Sequence, residues 1–95
     1  MARVYTEAEL ERIASIMYDI AAVRSCTIYD MRGAPICTMW HNLSPSEKST
    51  SIQGLKQRIE RETLPGYFER KKKQVPAATA IYEDTIKELK RAGLM

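Results

Sequence analysis

The stretch Ser25 to Trp40, SCTIYDMRGAPICTMW, constrains this chain most, because it alone reads as β-structure while the residues on both sides read as helix. Its arms, Thr27 to Tyr29 and Ile36 to Trp40, are mostly β-branched or aromatic, and Gly33 beside Pro35 marks a reversal between them. An isolated two-stranded hairpin is at best marginal in water. The flanking helices must then lie across one of its faces and supply the core. The expected fold is α+β and predominantly helical: helix, β-hairpin, helix, short basic turn, helix. The 95 residues form one domain, 1–95, small enough to bury only about 60–65% of its unfolded surface.

Two registers of the hairpin compete. A Met31-Arg32-Gly33 loop sets Ile28 opposite Ile36 and turns Cys26 and Cys37 to opposite faces; an Asp30 to Gly33 loop sets the cysteines opposite each other. The first is preferred, since a three-residue connection with a left-handed glycine is common and it collects both isoleucines on one face. Pro35 cannot donate to a ladder, so the second arm has an open edge. Such an edge offers a route to a homo-oligomer or to strand addition by a partner.

Helix signals flank this stretch. Thr6-Glu7-Ala8-Glu9 has the form of a capping box, and Leu10, Ile13, Ala14, Met17, Ile20 and Ala21 follow at helical spacing. Ile16 and Val23 widen the apolar band, and the helix is expected from Glu7 to about Val23. Ser44-Pro45-Ser46-Glu47 repeats the start signal with proline at the first helical position. The helix it opens is weak: Lys48 to Ser51 forms helix poorly, and Gly54 costs about 1 kcal/mol relative to alanine. Leu64-Pro65-Gly66 is expected to break it, leaving the basic Tyr67 to Gln74 as a short helical turn or loop bounded by Pro65 and Pro76. A last helix presents Ala78, Ile81, Tyr82, Thr85, Ile86 and Leu89 on one face and stops at Gly93, with Leu94 folding back on Leu89.

Function is bounded mainly by what the chain lacks. Hydrophobic residues at 44% and charged residues at 28% describe a globular chain rather than a disordered one. No apolar run is long enough to span a membrane, and Ala2 and Arg3 lead into an acidic helix without the apolar core of a secretory signal, so the expected compartment is the cytoplasm. Two cysteines in a reducing compartment are expected as thiols. Cys26, Cys37 and His41 fall short of the four ligands of a structural zinc site. No glycine-rich phosphate cradle, HExxH or GxSxG is present, and Glu7, Glu9 and Glu11 are accounted for by the helix dipole. The expectation is no enzyme, no metal and no cofactor.

Two binding readings follow. Residues 47–73 carry eight basic and four acidic side chains, holding all of the chain's positive excess. Within them Lys56, Arg58, Arg61, Arg70, Lys71, Lys72 and Lys73 accompany Tyr67 and Phe68, a mixture of cations for phosphates and rings for bases. The bland account is that the rings plug the core and the lysines form a solvated face, and Glu60, Glu62 and Glu69 dilute the field. Alternatively Tyr29, Met39, Trp40, Tyr67 and Phe68, with Met31, are residue types enriched in protein interfaces. The leading reading is a small non-enzymatic protein of adaptor or inhibitor type that docks on another protein; the runner-up is a nucleic-acid binder using residues 56–73.

The segment IYDMRGAPI, set between two helices, resembles the start of the hairpin in roadblock-like modules. The resemblance covers these nine residues, and the chain lacks the three further strands of such a module, so it implies no function here.

Overall fold

The computed structural model describes residues 4–26, 29–33 and 39–95, and it corrects the expected fold class. The protein is all-α: four helices make up most of it, 78% of the described residues are helical, and there is no strand or sheet among them. The hairpin arms fall largely on residues 27–28 and 34–38, so the cysteine register, which turns on Cys37, lies outside the described residues. What is described of the stretch is a turn. Gly33 donates its N–H to Asp30 O at 3.0 Å, Arg32 donates its N–H to Asp30 Oδ1 at 2.8 Å, and Gly33 takes a left-handed φ of 82°. The physical reason for the correction is that the helices need no sheet to bury their apolar faces; they pack on each other. The resemblance to a roadblock-like module, which needs a sheet, falls with the hairpin.

Helix α1 runs Glu7–Ser25 and α2 runs Pro45–Arg61. Both open on the capping boxes seen in the sequence. Thr6 Oγ1 accepts the Glu9 N–H at 3.2 Å while Glu9 accepts the Thr6 N–H at 2.9 Å; Ser44 and Glu47 repeat the exchange at 3.2 and 3.3 Å. Each pair satisfies two backbone donors that a helix start otherwise leaves orphaned.

The expected basic turn is instead a third helix, α3, Leu64–Gln74. Thr63 caps it, accepting the Gly66 N–H at 3.1 Å, and Pro65 sits in the first turn, where the missing donor costs nothing. Glycine at 66 makes the cap fit: a Cβ there would stand 3.0 Å from Thr63 Oγ1. The residues read as a stop are thus a second start. A short 3-10 turn, Pro76–Ala78, leads into α4, Thr79–Arg91. Gly93, at φ 76°, ends it; Leu94 donates its N–H to Leu89 O at 2.9 Å and Gly93 to Lys90 O at 3.1 Å, the left-handed closure expected there.

α1 packs on both α4 and α2, and α3 packs on α4. The core they share joins Leu10, Ile13 and Ala14 of α1 to Leu55, Leu64, Phe68 and Leu89, with Leu94 closing one end. Trp40 belongs to this core. It sits in a single 3-10 turn, Trp40–Asn42, donates its backbone N–H to Asp19 Oδ1 at 2.7 Å and meets Tyr18 edge-on at 6.1 Å. Those contacts anchor the return of the connecting segment onto α1.

Candidate functional site

The residues proposed as protein anchors separate into two groups. Trp40 is 6% exposed, and Tyr67 and Phe68 are likewise buried, so these three hold the helices together and have almost no surface to offer a partner. This corrects their assignment as contact residues. The reason is geometric: α3 is a helix, and Leu64, Tyr67 and Phe68 fall on its one inward face. Tyr29 and Met39 remain at the surface, Tyr29 57% exposed and Met39 half-buried.

Tyr29 is held at the C-terminal end of α1. Its hydroxyl donates to Cys26 O at 3.1 Å, and the Cys26 N–H donates to Val23 O at 3.4 Å. Val23 is itself 43% exposed, and Met31, at the tip of the Asp30 to Gly33 turn, is fully exposed. A cleft of about 480 Å³ lies between α1 and α4, with Ile20, Val23 and Met39 as its apolar part. Its rim is charged: Arg24 pairs with Asp84 across the cleft, and Asp19, Lys87 and Glu88 complete the lining. Tyr29 is thus tied through Cys26 to the end of α1 that carries Val23, and Val23 shares the cleft with Met39. Sequence reasoning missed the α4 rim altogether, since nothing local connects Arg24 to Asp84. It also read Val23 as core, because a widened apolar band looks the same whether a neighbour covers it or not.

The basic stretch is partly neutralised, three of its seven cations being ion-paired. Lys56 pairs with Glu7 at 2.9 Å, which holds its ammonium above the usual lysine range. Lys72 pairs with Glu69 at 3.3 Å. Arg70 grips both oxygens of Glu62 at 2.7–3.3 Å and also donates to Gln74 Oε1 at 3.2 Å. That hydrogen bonding keeps the Glu62 carboxyl below the usual glutamate range and raises the Arg70 guanidinium. Arg58 donates to Tyr67 Oη at 2.6 Å, and both Arg58 and Arg70 lie over the Tyr67 ring, at 5.2 and 5.6 Å. Arg61, Lys71 and Lys73 have no ion pair among the described residues.

Tyr67 carries a pH dependence. Burial pushes its hydroxyl above the ordinary value of 10.0, against the opposing pull of Arg58. A raised folded-state value means the folded protein holds this proton more tightly than the unfolded chain, so the contribution is complete below pH 10.0 and is lost as pH rises through the folded value. Thermal melts at successive alkaline pH should show the wild type losing Tm more steeply than Tyr67→Phe as pH rises past 10.0 toward the folded-state value; parallel curves across that interval would contradict the assignment.

His41 is exposed and Cys26 half-buried at the end of α1. Among the described residues there is no group of three or more His, Cys, Asp or Glu side chains placed to hold a metal ion. No helix formed by the described residues is long and apolar enough to cross a membrane. Compared with protein-family models, curated proteins and solved structures, this chain matches none. The fold defines the class: a small all-α domain of four helices.

Proposed function

We propose that this protein is a cytoplasmic, non-enzymatic binding protein of adaptor or inhibitor type, which docks its Tyr29 and Met31 end on another protein. The observation that carries the reading is the exposure of Tyr29 and Met31 on the segment that follows α1, whose last turns line the α1–α4 cleft with Val23. Exposed apolar side chains with a polar rim are the usual make-up of a protein contact. The turn that presents Met31 is held by two hydrogen bonds of its own, from the N–H groups of Gly33 and Arg32 to Asp30. Holding the turn in one shape reduces the ordering cost of association.

The nucleic-acid reading keeps one observation in its favour, the four cations Arg58, Arg61, Lys71 and Lys73 of the stretch that have no ion pair among the described residues. Against it, Tyr67 and Phe68 are buried and cannot stack on bases. Recovery of partners with the tagged protein, before and after nuclease, separates the two. On the protein reading, a protein partner survives nuclease and moderate salt, and Tyr29→Ala with Met31→Ala weakens it by about 2 kcal/mol or more. On the nucleic-acid reading, recovery collapses with nuclease, and binding falls steeply with salt, with a slope flattened by Lys71→Gln and Lys73→Gln.

A further inference from the structure

A second groove, of about 320 Å³, runs between α1 and α2. Met17 and Tyr18 form its α1 wall, and Ser51, Gly54 and Leu55 form its α2 wall. Gly54 is an unexpected residue there, since glycine in the middle of a helix is unfavourable. Close approach of a neighbour does not account for it: a Cβ built on Gly54 would meet nothing within 4 Å. What the missing side chain leaves is open space along α2.

Arg58 closes the same groove and is the only charged side chain on its lining among the described residues. Its guanidinium is positioned from below by the Tyr67 ring at 5.2 Å and from one side by Tyr67 Oη at 2.6 Å. Both contacts are to a neutral group. Glu62, the C-cap of α2, feels the Arg58 charge, but its carboxylate oxygens are gripped by Arg70. Arg58 is therefore a held guanidinium with donors to spare, no ion pair among the described residues, and an apolar trough in front of it. A planar fork of this kind matches a carboxylate. The trough suits a body without charge, and its volume is at the lower end of small-ligand sites.

We propose that this groove binds a small monocarboxylate with an apolar body, the carboxylate on Arg58 and the body over Gly54 between Met17 and Tyr18. Charge complementarity selects the ligand class: one fixed cation on an otherwise uncharged lining accepts a monoanion, and a heavily hydrated inorganic anion gains nothing from the apolar walls.

The test is a two-dimensional amide NMR titration of the whole protein with hydrocinnamate as the probe. The expected result is saturable shifts centred on Ser51, Gly54 and Leu55, with a low-millimolar Kd, the order expected of a ligand so small. The neutral amide of the same acid should bind about tenfold more weakly, as should Arg58→Gln with hydrocinnamate. Gly54→Leu fills the trough with a better helix former and should abolish the shifts while the protein stays folded. Since Arg58→Gln also removes the hydrogen bond to Tyr67, Arg58→Lys serves as a second variant, keeping the charge without the fork and binding at an intermediate level. The proposal is overturned by an absence of saturable shifts, by equal binding of acid and amide, by equal shifts with inorganic phosphate, or by unchanged binding in Gly54→Leu.

Discussion

Phe68→Ala is expected to destabilise the protein by about 3–5 kcal/mol, the range for truncating a buried phenylalanine. Phe68 is 0% exposed. Its ring meets Tyr67 at 5.3 Å and Tyr82 of α4 at 6.2 Å, so it is the point at which α3 is fastened to α4. A cleft of about 240 Å³ already lies beside it, lined among others by Met17, Ala21, Ile81 and Thr85. Removing the ring enlarges that space, because helices fixed elsewhere in the core cannot close over it. A domain of this size has a total stability on the order of 5–15 kcal/mol, so the variant stands near the edge of folding. Urea melts should show the midpoint falling with the slope unchanged. A loss under about 1 kcal/mol would contradict the core position, and would restore Phe68 to the role of surface contact that the structure takes from it.

Leu94→Ala should cost about 2–4 kcal/mol, a large effect for a residue beyond a helix stop. Residues in such a position commonly fray. Here Leu94 is buried, held by its own N–H to Leu89 O at 2.9 Å and by its carbonyl, which accepts the Tyr5 hydroxyl at 2.7 Å across 89 residues of sequence. The side chain therefore fills the end of the core between the start of α1 and the end of α4. Its turn depends on the left-handed Gly93. Calorimetry reads the prediction directly: at about 4–8 °C per kcal/mol for a domain of this size, Tm should fall by well over 8 °C. A shift of a degree or two would mean that this end is not part of the cooperative unit.

Much of the helical frame was legible because its signals are local. The two capping boxes, Thr6 with Glu9 and Ser44 with Glu47, and the Gly93 stop need only residues within one turn of each other, and the structure places all three as read. The misreadings share a different origin. Thr63-Leu64-Pro65-Gly66 is a stop when read from the helix before it and a capped start when read from the helix after it, and proline alone cannot say which. The β-branched and aromatic run around Gly33 suggested paired strands, yet Trp40 turned out to serve a helical core through contacts with Tyr18 and Asp19, twenty-one residues before it in the latter case. Propensity is overridden when such distant partners exist.

The same distinction governs the sites. That residues 56–73 are basic is written in the sequence; that Glu62 occupies Arg70 depends on how α2 and α3 meet, and that Arg58 rests on Tyr67 depends on the same corner. The meeting of Val23 and Met39 in one cleft depends on how Trp40 is fixed to α1. None of these follows from spacing along the chain.

The extensive packing of α1 against α4 also bears on how the protein reaches its native state. These two helices are far apart in the sequence, so their contact forms only when residues 26–78 have been drawn into a closed loop, an entropic charge that falls before the contact returns anything. The neighbouring pairs α1 with α2 and α3 with α4 can meet first, and joining them is then the slow step. During synthesis α1 must wait, half-covered, until α4 has emerged from the ribosome.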